Sequence, residues 1–276
     1  MSVKVKTIIL TAVTLLVMGA GIFLLSQDFL LGQFSKVEGI IRANDLGQIT
    51  KSIDRIYTEL GGLATDWSHR NEVNQFLLDQ NPGFVSANIN PTTFSSLEVD
   101  LIALADQQGN VRYGQVYERG TGTLRDLSPD FSAVFQPGGV FYRLTSASLP
   151  PNVLLKVNGR PYLATARPIH DVRDDQSLVG VVVIARQVDE QLLDYLRVDT
   201  GITGISFFLA ENAPEDFLNI LPTLAPDQTS YLQAVSPDSI RGYVILNGPD
   251  GKVAGVLEAQ LQRTITREGR IAIRYL

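Results

Sequence analysis

Side chains able to do covalent or acid-base chemistry are few and scattered in this chain. His69 and His170 are the two histidines, and there is no cysteine. A three-histidine metal site, a thiolate ligand and a thiolate nucleophile are thereby excluded, and a histidine base would have to be one of these two. Each reads more simply as a surface or packing histidine. The nucleophile-elbow, zinc-protease and phosphate-loop patterns are absent, and Gly248-Pro249-Asp250-Gly251-Lys252 reads as a turn. Asp171, Arg173, Asp174 and Asp175 crowd one stretch, but they lack the glycine and terminal glutamate of a calcium loop and read as a solvated loop. The chain is expected to hold no catalytic residue, no metal and no cofactor.

Binding chemistry is better represented. Trp67 is the single tryptophan, and Tyr113, Tyr142, Arg143, Tyr162 and Arg167 fall on or beside expected strands. Tyrosine hydroxyls and arginine forks are the groups that hold a small polar or anionic ligand in a concave site. These six are the candidate ligand-binding residues. Packing anchors and surface arginines would give the same six, and the residues alone do not separate the two readings.

The elements that must position them follow from patterning. Thr7 to Gln27 is an uncharged apolar run, about 30 Å long as a helix, which matches the hydrocarbon thickness of a bilayer. Lys4 and Lys6 precede it and Asp28 follows, so the short tail is expected in the cytoplasm and the bulk of the chain outside, on the periplasmic side of an inner membrane. A cleaved signal peptide would use Gly19, Ala20 and Gly21; the run continues through Ile22-Phe23-Leu24-Leu25, which favours an uncleaved anchor. Downstream, Leu46, Ile49, Ile53, Ile56, Leu60, Leu63 and Trp67 recur at alternating steps of three and four, one face of a helix. Leu30, Phe34, Val37 and Ile41 do the same upstream, with a slip in phase between Ile41 and Leu46. This places a long helix over 28–66, with a break possible at Gly32, Gly39, Gly47 or Gly61-Gly62. The stripe is expected to serve the protein's own sheet at one end and a homodimer seam at the other.

From residue 98 the pattern changes to short β-rich runs. Val99–Ala105 and Val111–Tyr117 flank a Gly109 turn, Val153–Val157 and Tyr162–Pro168 flank Asn158-Gly159, and Val179–Arg186 reads as a buried central strand. A helix follows at 189–198. A second strand group lies at 205–209, 231–235, 242–246 and 253–259, with a helix near 214–221. The expected organisation is α+β: an anchor at 1–27, a long helix at 28–66, an antiparallel sheet module at 67–198, a smaller sheet module at 199–262 and a connector at 263–276. A formal net charge of -6 without a basic cluster argues against a nucleic-acid partner.

Three landmarks carry a resemblance to a known family. They are Asp66-Trp67-Ser68 with Phe76; Asn88-Ile89-Asn90-Pro91-Thr92-Thr93-Phe94 leading into Asp100–Asp106; and Gly159-Arg160-Pro161-Tyr162-Leu163 with Arg167-Pro168-Ile169 and Gly180. Over roughly residues 60–200 the chain resembles the CHASE type 4 sensors, relatives of the Cache and PAS-like domains of bacterial membrane receptors. Arg70 and Asn71 depart from the Trp-Asp usual there. The resemblance implies a PAS/Cache-like sheet module and an extracytoplasmic sensing role, in a histidine kinase or a cyclic-di-GMP enzyme, for an unknown small-molecule or protein stimulus. The alternative is an anchored structural protein of the pilin type, against which stands the lack of a glutamate in Thr7 to Gln27.

Overall fold

A computed structural model describes residues 3–79, 82–142, 152–171, 174–225 and 228–274. Its organising element is α1 (Val3–Ser68), an unbroken helix of 66 residues and about 100 Å in length. Neither Gly47 nor Gly61-Gly62 interrupts it. Each glycine costs about 1 kcal/mol relative to alanine, and packing of the helix on other elements offsets that cost. Leu46, Ile49, Ile53, Ile56, Leu60 and Trp67 are all buried, as the stripe requires, and Leu63 is packed at its margin. The upstream stripe behaves differently. Leu30, Val37 and Ile41 are exposed, and Phe34 lies against Gly269, so this residue faces the chain's own last helix instead of a partner.

Three short helices that periodicity did not reveal come next: α2 (Asn71–Asp79), α3 (Pro82–Asn88) and α4 (Pro91–Leu97). The α4 start is locally encoded. Asn90 accepts a hydrogen bond from the Thr93 amide, Thr93 Oγ1 accepts one from the Asn90 amide, and Pro91 occupies the first turn. Fully buried Phe94 then stacks on Tyr117 with ring centroids 5.9 Å apart.

Six strands follow: β1 (Leu101–Asp106), β2 (Val111–Glu118), β3 (Thr123–Asp126), β4 (Val153–Val157), β5 (Arg160–Asp171) and β6 (Asp174–Gln187). They form one sheet in the order β3-β2-β1-β6-β5-β4, antiparallel at every pairing. β6 is the central, nearly continuous apolar strand because both faces of the sheet are covered. One face carries α1 and α2. The other carries Phe131, Phe135 and Phe141, packed over Ala103, Ala105, Val181 and Val183. Asn158 and Gly159 both take positive φ, 51° and 79°, as a two-residue hairpin demands.

α5 (Glu190–Thr200), capped by Asp189, leads into the second sheet. Its strands are β7 (Ile205–Leu209), β8 (Ser230–Ser236), β9 (Ser239–Asn247) and β10 (Val253–Gln262), in the order β7-β10-β9-β8, with α6 (Glu215–Ile220) between β7 and β8. The stretch expected as a connector is a helix, α7 (Thr264–Arg274), lying against α1.

The turn between β1 and β2 depends on one glycine in two ways. Gly109 has φ 86°, and a Cβ there would stand 2.2 Å from the Phe135 carbonyl oxygen. Gly109→Ala should therefore destabilise the chain by about 2 kcal/mol or more, from backbone strain and displacement of the Pro129–Phe135 turn together. Urea unfolding measures this, and an unchanged midpoint would show that the phenylalanine layer is not seated on that turn.

Candidate functional site

The six candidate binding residues do not converge. Trp67 ends α1 in the core between that helix and the sheet, with the Arg70 guanidinium 5.3 Å from its ring centroid. Tyr113 is on the same face, where its hydroxyl donates to Gln115 at 3.0 Å and burial pushes its pKa well above the usual tyrosine value. Arg167 also points towards α1: its Nε donates to Thr65 Oγ1 at 3.3 Å and its Nη1 to the Ala166 carbonyl at 2.8 Å. Tyr162 lies on the opposite face, fully buried beside the phenylalanine layer, its hydroxyl pushed up to about 12 chiefly by burial. Tyr142 is half-buried at the end of the described stretch, and Arg143 and Arg173 lie outside the described residues. Side chains on a strand alternate between faces, so Tyr162 and Arg167, five residues apart on β5, cannot share one. Between Gly109, Phe135, Phe141 and Gly180 a cavity of 10 Å³ remains, room for about one water. Among the described residues no group of three or more His, Asp or Glu side chains could hold a metal ion.

The most elaborate polar constellation lies elsewhere, where α1 meets α7, and sequence reasoning missed it. Glu38 is completely buried. Its carboxylate accepts from the Ile265 amide at 3.0 Å, from Thr266 Oγ1 at 2.5 Å and from Arg263 Nε at 3.3 Å. Arg263 also donates to Ser35 Oγ at 2.7 Å. Ile265 and Thr266 belong to the first turn of α7, whose amides have no partner within their own helix, so a carboxylate from α1 caps the start of α7. One turn along α1, Arg42 donates to the Gln262 carbonyl at 2.6 Å and to Thr264 Oγ1 at 3.2 Å, and is held by Asp45 at 2.8 Å. One turn the other way, Gly269 lets the Phe34 ring approach: a Cβ at that glycine would sit 2.4 Å from it. Contacts 38 to 265 and 34 to 269 run in opposite directions along the two helices, so α7 is antiparallel to α1 and heads towards the apolar end of α1. That end includes Lys6–Phe23, long and apolar enough to cross a membrane, with its described side chains exposed.

Burial opposes ionisation of Glu38. The hydrogen bonds from Thr266, Arg263 and the Ile265 amide, with the charge of Arg263, outweigh it and hold the carboxyl below its ordinary value. Asp100, a buried carboxylate just before β1, goes the opposite way. Burial lifts it above the usual range although Arg119 and the Gln187 amide donate to it. At Asp100 the charge of Asp189 adds to burial in opposing ionisation, whereas at Glu38 burial alone opposes it.

A long apolar helix that passes two antiparallel sheets and pairs with a returning helix defines a sensory module of the two-sheet α+β kind. The chain belongs to the CHASE4 domain family, whose model matches residues 53–206. It is an extracytoplasmic sensing domain of a signalling receptor. A curated relative, the methanogenesis regulatory histidine kinase FilI of Methanothrix harundinacea, is 24% identical over 221 residues. That match takes in 76% of this chain and 23% of the kinase, so the chain spans about a quarter of its relative's length. Two solved structures share the fold at a TM-score of 0.53. One is the extracellular domain of a protein described as a histidine kinase, vpHK1S-Z8, at 12% identity over 82% of this chain and 95% of that one. The other is a domain of a protein assigned to the sensory box/GGDEF family of Vibrio parahaemolyticus, at 13% identity over 84% and 98%.

Two outcomes are expected at the junction. The folded pKa of Glu38 lies below the reference value of 4.5. Its contribution is therefore complete above that range and is lost as pH falls through the folded value. Hydrogen-exchange protection of α7 should be steady from neutral pH to about pH 5 and fall below it, whereas Glu38→Gln should lower it throughout and remove the step. Separately, Gly269→Leu should cost about 1–3 kcal/mol in urea unfolding by overpacking against Phe34. Adding Phe34→Ala should recover part of that cost; simple additivity would show that the two positions do not touch.

Proposed function

We propose that this chain is the periplasmic sensing part of a membrane receptor, anchored in the cell membrane by the start of α1, and that its output passes through movement of α7 against α1. The buried Glu38 carboxylate carries this reading. Together with Arg42 one turn away, it fixes the start of the returning helix to the incoming one through polar contacts, so any displacement of α1 by the sheets is felt at α7. Packed interfaces move between discrete arrangements more readily than they bend. The catalytic step of such a receptor, a histidine kinase or a cyclic-di-GMP enzyme, would belong to a separate cytoplasmic domain, and the sensing part would have no turnover of its own.

The reading includes a homodimer through the membrane-proximal part of α1. Leu30, Val37, Ile40 and Ile41 form an exposed apolar strip there. A second copy presenting the same strip would bury it in a parallel seam. The alternative of a ligand site made by Trp67, Tyr113, Tyr142, Arg143, Tyr162 and Arg167 acting together is not favoured, because Tyr162 and Arg167 occupy opposite faces of the sheet.

The cysteine-free chain makes the test direct. Phe34→Cys with Gly269→Cys should form a disulfide within one chain. In the full-length receptor in membranes, that bond should lock output in one signalling state regardless of stimulus. Unimpaired switching with the bond formed would overturn the coupling mechanism. Single cysteines at 37 and 41 should crosslink two copies while one at 53 should not, and the reverse pattern would remove the seam.

A further inference from the structure

A cleft of 220 Å³ opens beside the C-terminal part of α1, walled by Leu60, Leu63 and Leu97 and rimmed by Glu59 and Glu98, with Arg186 at its base. The Arg186 side chain is only 10% exposed. Among the described residues its guanidinium has no hydrogen-bond partner. Its ion partner, Glu98, stands 3.7 Å away and is itself 71% exposed, and the Tyr195 ring lies 5.6 Å from its central carbon. The guanidinium carries five N–H donors in a planar fork, and among the described residues their nearest charged acceptor is the exposed Glu98 carboxylate at 3.7 Å. Every other arginine described above has found at least one acceptor within hydrogen-bond reach: Arg42, Arg70, Arg119, Arg167 and Arg263.

The geometry points to a binding site for a small zwitterion with a short apolar body, its carboxylate on Arg186 and its cationic nitrogen between Glu59 and Glu98. Each part of the ligand answers one feature of the cleft. The planar fork of an arginine matches a carboxylate with two parallel hydrogen bonds. Two carboxylates on the rim disfavour a plain anion and favour one that also carries a positive charge. The volume is below the roughly 300–1,000 Å³ of pockets for drug-sized molecules, and the leucine walls suit an aliphatic or aromatic group. Glu98 sits in the left-handed region, φ 54° and ψ 36°, as the residue closing α4. This places its carboxylate on the rim, where a ligand would displace it from Arg186.

The location ties the cleft to the coupling described above. Leu60 and Leu63 belong to α1. Tyr195, over Arg186, belongs to α5, which is bound to α1 through Asp199: Ser52 Oγ donates to it at 2.5 Å and Arg55 Nη1 at 3.0 Å. A molecule in the cleft would press on α1 about one turn from its contacts with α5. The inference rests on the sensor reading for its purpose and not for its test, since binding is measured on the chain alone.

The experiment is calorimetric titration of the whole chain in lipid nanodiscs with L-valine, L-leucine and L-phenylalanine, and with isocaproate and isoamylamine, which keep the leucine skeleton but lack one charge each. At least one of the amino acids should bind, and both single-charge analogues should bind about tenfold more weakly than leucine or worse. Arg186→Gln should weaken amino-acid binding by about tenfold or more, with Arg186→Lys between it and the parent. Leu63→Trp, which fills the cleft without touching the charges, should abolish binding and keeps the test decisive if Arg186→Gln fails to fold. No binding by any of the three amino acids overturns the site, as does binding that survives both Arg186→Gln and Leu63→Trp. Isocaproate binding as tightly as leucine overturns the zwitterion assignment. Any of these failures leaves the α1 to α7 coupling intact, because the disulfide lock tests that on its own.

Discussion

A carboxylate taken out of water must be paired or neutralised, and this structure is arranged so that Glu38 can remain charged without exposure. Its partners come from one short stretch, residues 263–266, at the point where β10 gives way to α7. The second sheet therefore cannot shift relative to α1 without disturbing the cap at the start of α7. Losing one member of a buried charge pair leaves the other uncompensated, at a cost of about 3–5 kcal/mol. Such an arrangement resists small displacements and yields to large ones as a unit, which suits an element that reports one of two states.

α1 is the wall common to both sheets, and contacts along it change character from one end to the other. Between Leu46 and Trp67 it buries apolar side chains against the sheets. On β9, Gly242 makes room for Leu46, since a Cβ there would lie 2.4 Å from that side chain. Between Phe34 and Asp45 the contacts with α7 and the strand before it are mainly polar. An apolar interface is held by area and tolerates sliding, whereas a hydrogen-bonded one specifies a register. The helix thus meets the sheets mainly through apolar area and α7 mainly through hydrogen bonds.

The first sheet shows how a plausible set of binding residues can be dispersed by pleating. Tyr113, Tyr162 and Arg167 each lie on a strand and carry a functional group suited to binding. Counting along β5 places Tyr162 and Arg167 on opposite faces, a conclusion available from strand parity alone. Arg186, at the end of the apolar central strand, passed without notice because nothing near it in sequence marks it as buried; Glu98 and Tyr195 reach it from other elements.

What the amino-acid order determined by itself is what depends on neighbours close along the chain. The apolar period of α1, the Asn158-Gly159 hairpin, the Gly109 turn and the continuous β6 were all legible, because period, turn chemistry and burial on both faces leave a local mark. The helices α2 to α4 were hidden because they are short and their apolar residues too few to show a period, although Asn90, Pro91 and Thr93 carried a readable cap. The slip in phase between Ile41 and Leu46 was real in the apolar pattern but not in the helix. The covered face of α1 runs on through Leu31, Ser35, Glu38 and Arg42, and two of those positions hold charges. A buried charge looks like a surface residue until its partners are known. Here the main partner, Arg263, lies 225 residues away, so only the tertiary structure could decide that Glu38 belongs to the core.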